Sequence, residues 1–177
     1  MRNIILTGLI LILSYNIIVS QENKNGLILD IAGLYTKTNL LKENNYGLSV
    51  GGGFAYSRKL NLKSDYQFEI RTGVFFAESY FEGFQCGLFL RKKISDTYYC
   101  LAGINSNINL RPSHGIMEHE EFRMFTFTFG VGIAYKYSEN ISFLFGINKT
   151  IDDYFGSIDS SSKYLLWVFR GGLEYGF

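Results

Sequence analysis

The chain has 177 residues, enough for one domain with a sizeable core, and its formal net charge is +1. Without clustered Lys and Arg it lacks the surface a phosphate backbone requires, so no nucleic-acid partner is expected. With 19 Gly, 13 Tyr and 16 Phe against a single Pro, Pro112, the composition favours strands and turns over helices.

Met1 and Arg2 precede the apolar run "IILTGLILIL", which gives way to "SYNIIVS" and then to the polar "QENKNG". A basic start, an apolar middle and the small Ser20 ahead of Gln21 predict a secretory signal peptide over 1–20. The competing reading is a helical anchor, but Ser14, Tyr15 and Asn16 interrupt the run short of the roughly 20 residues such a span needs. Residues 21–26 then form a short linker, and 27–177 a single domain.

In that domain the pattern has a period of two. Over 125–137, Phe125, Phe127, Phe129, Val131, Ile133, Tyr135 and Tyr137 alternate with Thr126, Thr128, Gly130, Gly132, Ala134 and Lys136. Successive side chains of a strand point to opposite faces, so one face is oily and the other small and polar. The same reading predicts eight strands, near 27–35, 46–57, 64–76, 81–92, 98–110, 122–137, 141–149 and 163–177. Connections after the second, fourth and sixth are tight ("RKLNLKSD", "KISDT", "SEN"). Those after the first, fifth and seventh are longer and polar ("TKTNLLKENN", "RPSHGIMEHEE", "TIDDYFGSIDSSS"), and "AESY" is the short exception. An up-and-down meander places odd and even connections at opposite ends, which gives one smooth rim and one looped rim.

The face opposite the oily one decides between water and lipid. It carries Gly47, Ser49, Gly51, Gly53, Gly73, Gly87, Gly103, Gly146 and Gly172 as well as the small residues above. An eight-stranded interior is just wide enough for side chains or one small ligand, so a soluble barrel would have to crowd the rings inside and show glycine to water. The inverse arrangement predicts an all-β fold, an eight-stranded antiparallel up-and-down transmembrane β-barrel. Tyr56, Tyr66, Tyr98, Tyr135, Tyr137 and Tyr175 fall at the tight-turn ends of their strands, and Tyr35, Tyr46, Phe76 and Trp167 nearer the looped ends. These are two aromatic girdles, with ring bodies in hydrocarbon and polar tips among headgroups.

The signal-like start, the eight alternating segments and the ending "LEYGF", with Leu173, Tyr175 and Phe177 on one face, resemble small outer-membrane β-barrel proteins of Gram-negative bacteria. The glycine- and tyrosine-rich strands and the Gln after the signal look most like the generic outer-membrane barrel families of the Bacteroidota and their relatives, including PorT-like and OmpX-like proteins. The resemblance covers 27–177 and implies that Leu173, Tyr175 and Phe177 form the signal read by the barrel-assembly machinery during insertion.

The inward face also carries Asp30, Glu69, Arg71, Arg170 and Glu174, with Arg91 and Lys136 nearer the tight-turn rim. Buried charges are tolerable only when paired, so the first five are expected to form an interior charge network that plugs the lumen. The competing reading of the same residues is a selectivity or proton pathway. In "SHGIMEHEE", His114, Glu118, His119, Glu120 and Glu121 match no compact metal motif and read as a solvated loop. Cys86 and Cys100, paired across a short hairpin with Ile104 and Leu90, would lie four residues out of register and stay unbridged. No catalytic residue, metal or cofactor is expected. The reading is a monomeric, non-enzymatic barrel with periplasmic termini, in contact with outer-membrane lipid, that stabilises the envelope or presents 36–45, 111–121 and 150–162 to an extracellular or envelope protein. The alternatives are a lipid-modifying acyl hydrolase or transferase, which would need one of those histidines as its base, and an accessory component of a secretion system.

Overall fold

The computed structural model describes residues 24–40, 43–63, 65–77, 81–110, 120–122, 124–158 and 161–177. The predicted signal peptide lies outside them. Among the described residues ten strands form one antiparallel sheet: β1 (Lys24–Leu40), β2 (Glu43–Lys63), β3 (Tyr66–Ala77), β4 (Phe81–Lys93), β5 (Tyr98–Asn109), β6 (Glu120–Phe122), β7 (Phe125–Lys136), β8 (Ile141–Thr150), β9 (Tyr154–Ile158) and β10 (Ser161–Gly176). All but β6 and β9 are staves of a barrel, which closes where β10 pairs with β1 from Gly26–Gly176 to Asn39–Ser162.

The register fixes the shape. Cross-strand partners followed once around the barrel lead from Asn25 through Arg58, Ile70, Leu88, Ile104, Phe129, Lys149 and Trp167 to Tyr35, ten residues further up β1. With eight staves about 4.8 Å apart and about 3.4 Å per residue, that offset tilts the strands about 40° from the axis.

Alternation sets the two faces. Along β4 the residues are buried and exposed in strict turn from Phe81 to Lys92. The outer face shows Ile31 67% exposed, Val131 50% and Phe145 61%, with comparable side chains on the other staves. A continuous apolar belt of that kind is untenable in water and is what a hydrocarbon layer requires. Rings gather at both ends of the belt: Tyr98 lies 5.2 Å from Tyr135 at the lower end, and Tyr35 stacks on Tyr46 at 5.8 Å at the upper end.

The interior is fuller than a glycine-lined face suggests. One apolar cluster holds Leu34, Phe75, Phe81, Leu165 and Val168, and another Ile28, Ala55, Leu101, Ala134 and Leu144. The glycines make room for these side chains. A Cβ at Gly73 would sit 2.5 Å from the Cα of Ala55, and one at Gly51 3.1 Å from the ring of Phe75.

Four expectations need correction. Residues 36–40 and 43–45 are strand, not loop: β1 and β2 stay paired up to Leu40–Glu43. The predicted sixth strand is split into β6 and β7, and 150–162 contains β9, which pairs with both β6 and β10 above the rim. The alternation that sets Trp167, Leu173, Tyr175 and Phe177 outward sets Leu165 outward too, yet it faces inward and is 6% exposed, because a register shift pairs Trp167 with Tyr35 but Leu165 with Thr36. The bulge leaves Leu166 without a partner on β1 and resets the alternation.

The fourth correction is the β4–β5 hairpin. Its turn is longer than expected, with the amides of Thr97 and Tyr98 donating to Ser95 Oγ at 3.4 and 3.2 Å and Lys93 Nζ 2.7 Å from Asp96. That hydrogen bond raises the Lys93 ammonium above its usual range and holds the Asp96 carboxyl below its own. Cys86 therefore pairs with Ser106 and Cys100 with Lys92, six residues out of register instead of four. At about 3.4 Å per residue this is far beyond the roughly 7 Å a bridge allows, and both thiols are free.

A charged layer across the lumen as the candidate functional site

The inward positions of the staves bring charges from distant parts of the chain to one level. Glu69 (β3) is fully buried; Arg71, the next inward residue on its strand, holds it with Nε 2.8 Å from Oε1 and Nη2 3.2 Å from Oε2. Arg91 (β4) donates through Nη1 to Glu69 Oε2 and to Glu174 Oε2 (β10), both at 3.2 Å. The other oxygen of Glu174 accepts from Lys59 Nζ and Ser57 Oγ, each at 2.8 Å, both from β2. Each buried carboxylate thus has two cationic partners, the condition for keeping a charge out of water.

A second layer lies nearer the looped rim. Arg170 (β10) donates through Nη1 to Gln85 Oε1 (β4) at 2.6 Å and reaches Asp30 Oδ2 (β1) at 3.5 Å. Aromatic faces cover the cations. Arg71 lies 4.3 Å from the ring centre of Phe89, Arg170 4.9 Å from that of Phe75 and Arg91 5.2 Å from that of Tyr99.

The arrangement crosses the whole lumen. In the closed order of staves, β4 and β10 are four apart in either direction, so they stand diametrically opposite. Arg91–Glu174 and Gln85–Arg170 both join these opposite walls, at two depths. Two spaces beside these groups are small: about 30 Å³ beside Asp30, Arg71 and Asn148, and about 20 Å³ beside Phe75, Asn107 and Thr126. A water needs about 10–15 Å³, so each space holds one or two. Below the layers an open mouth of about 320 Å³ is lined by Lys24, Lys59 and Lys136.

Of the residues the sequence singles out, Asp30, Glu69, Arg71, Arg170 and Glu174 all face the lumen, but they fall into two layers. Asp30 pairs with Arg170, while Glu69 and Glu174 share Arg91, which sequence reasoning placed nearer the rim. Lys136 lines the mouth. Lys59, Ser57 and Gln85 were missed. Lys59 lay past the predicted end of its strand, although extending the alternation from Ser57 would have found it. Gln85 was hidden in the imperfect period of "FEGFQCGLFL".

Leu173, Tyr175 and Phe177 face outward, 42%, 50% and 63% exposed. Phe177 and Asn25 exchange backbone hydrogen bonds of 2.9 and 3.3 Å, so the last residue belongs to the closing seam. His114, Glu118 and His119 lie outside the described residues, and for Glu120 and Glu121 only the backbone position on β6 is described. Among the described residues no group of His, Cys, Asp and Glu converges on a metal position.

A closed barrel with an apolar belt between two aromatic girdles is a transmembrane barrel of the outer-membrane type, and the cell outer membrane is its location. No protein-family model matches the chain, and no curated protein does. Among solved structures it is similar to Neisserial surface protein A, at 14% identity over 86% of this chain and 97% of that one, with a TM-score of 0.48. The corresponding values are 11%, 88%, 96% and 0.49 for the outer-membrane protein OprG from Pseudomonas aeruginosa. For Ail, the attachment invasion locus protein of Yersinia pestis, they are 13%, 89%, 100% and 0.46. The barrel itself is established by the chain's own strand pairing.

Proposed function

We propose that the protein is a non-enzymatic, non-conducting outer-membrane barrel that serves as a rigid scaffold and binds a partner with the part that rises above the membrane. The observation that carries this reading is the pair of bonds joining opposite walls, Arg91–Glu174 and Gln85–Arg170, which bridge the lumen at two depths. The purified protein in planar bilayers is expected to show no steady conductance. Large, stable single-channel steps would exclude the closed scaffold and favour an ion pathway.

Assembly is the second part of the proposal: the outward aromatics of the last stave, Phe177 above all, are read by the barrel-assembly machinery. Deleting Phe177 removes one ring and one backbone pair from the seam with Asn25. The truncated chain is expected to reach the periplasm and stay unassembled in cells, while refolding in detergent is only mildly impaired. Normal surface display in cells would refute the signal role, and failure to refold in detergent would mean that Phe177 acts through stability. The finer resemblance, to PorT-like proteins with a secretion role, rests on the glycine- and tyrosine-rich strands. Isolation of the native protein with secretion components would support it.

A further inference from the structure

At the lower mouth the inward face of the barrel gathers amines. Lys24 (β1) is the direct cross-strand partner of Lys59 (β2), so two like charges lie side by side on one wall, an arrangement that destabilises a sheet. Lys136 (β7) faces them: β2 and β7 are four staves apart in either direction around the closed order, so it projects from the opposite wall. With staves about 4.8 Å apart and tilted about 40°, opposite walls stand about 16 Å apart. Lysine stems from both sides therefore bring their ammonium groups over one bowl, the mouth of about 320 Å³.

The chain itself does not balance these charges. Lys59 is 9% exposed and bonds Glu174 at 2.8 Å, but that carboxylate also serves Arg91. The layer of Lys59, Arg71, Arg91, Glu69 and Glu174 thus keeps one positive charge in excess. Among the described residues neither Lys24 nor Lys136 has an ion-pair partner within 4 Å. Asp96 lies near enough to Lys136 to feel its charge, but it is bonded to Lys93 at 2.7 Å. Glu139 lines the mouth and offsets one charge; even with a further carboxylate counted on Phe177, the mouth stays positive. A concave site lined by one sign of charge concentrates its field on the ligand of opposite sign.

We propose that the lower mouth binds a phosphate group, held between Lys24 and Lys59 on one wall and Lys136 on the other. Ser142, the cross-strand partner of Lys136, adds a hydroxyl donor to the same bowl. Lysine acts as a point charge with three rotatable donors and lacks the flat fork that arginine offers a carboxylate. Amines converging from opposite sides suit a tetrahedral group that presents oxygens in every direction, and its one or two negative charges match the local excess. The same chemistry has two sources at this rim: a soluble phosphate or phosphate ester, and the headgroup of a neighbouring phospholipid, whose level the ring pair Tyr98 and Tyr135 marks. The mouth opens below both bridges of the lumen, so the site is independent of whether the barrel conducts.

The test is nuclear magnetic resonance of the full barrel in maltoside micelles, which contain no phosphate, with inorganic phosphate as the probe. Phosphate should shift the amides of Lys59, Lys136 and Ser142 saturably, with a Kd of about 1 mM or below. Malonate, a planar-carboxylate dianion, should bind about fivefold more weakly at equal ionic strength. Lys24→Gln combined with Lys136→Gln should weaken phosphate about tenfold, whereas Lys136→Arg, which keeps the charge, should retain most of the affinity. Short-chain dihexanoyl phosphatidylglycerol separates the sources: competition with phosphate at the same amides supports the site as one for a lipid headgroup, and absence of competition supports it as one for soluble phosphate. Shifts that never saturate, malonate binding as tightly as phosphate, or a response unchanged in the double variant would each overturn the proposal. If the double variant does not fold, the comparison of phosphate with malonate in the wild type decides alone.

Discussion

Replacing Arg91 with alanine is expected to destabilise the barrel by about 1.5–3 kcal/mol, the usual cost of losing hydrogen bonds to a charged group, since each buried carboxylate loses one of its two cations and keeps the other. Arg91 is 2% exposed and donates to both Glu69 and Glu174 at 3.2 Å. Its loss leaves Glu69 to Arg71 alone and Glu174 to Lys59 and Ser57. Urea unfolding from lipid vesicles measures the loss, and the heat-modifiable gel shift should move to lower temperature. Adding Glu174→Gln to Arg91→Ala should recover part of it, because the neutral amide no longer needs a cation. A change below about 1 kcal/mol in the single variant would place Arg91 in a solvated environment and remove the basis for a plug.

The second expected result concerns the outer face. Ile31 is 67% exposed and lies midway on β1 between Leu27, paired with Tyr56 and Tyr175 of the lower girdle, and Tyr35 of the upper one. Ile31→Arg should cost about 2–4 kcal/mol in lipid, the price of a cation at the bilayer midplane, and Tyr137→Arg at the girdle about 0–1. A soluble barrel would show no such depth dependence, and Ile31→Arg would then be neutral or improve solubility. Equal effects at both positions would contradict the membrane-spanning orientation.

Most of the fold was legible because a two-residue period reports faces directly. Phe125 to Tyr135 point outward in the structure as the alternation requires, and Asp30, Glu69, Arg71, Arg170 and Glu174 face the lumen. Register was not legible, because it depends on how many residues a turn consumes. The Ser95-capped turn shifted every pair of β4 and β5 by two residues, and the partners of Arg91 and Glu174 depend on offsets summed around the whole barrel. The upper sheet was hidden for a different reason. Polar segments such as "TKTNLLKENN" and "TIDDYFGSIDSSS" lack an oily face above the membrane, so strands there carry no alternation to read. Leu165 was misplaced because a bulge leaves no mark in composition.

The slipped β4–β5 hairpin shows what lengths evolution can change freely. Its register differs from the expected hairpin by a two-residue step, and every side chain kept its face. Two-residue insertions or deletions at a turn can therefore accumulate among descendants of this chain without turning the barrel inside out. A one-residue slip of register would instead turn the carboxylates of the lumen to lipid unless a bulge like the one at Leu166 absorbed it.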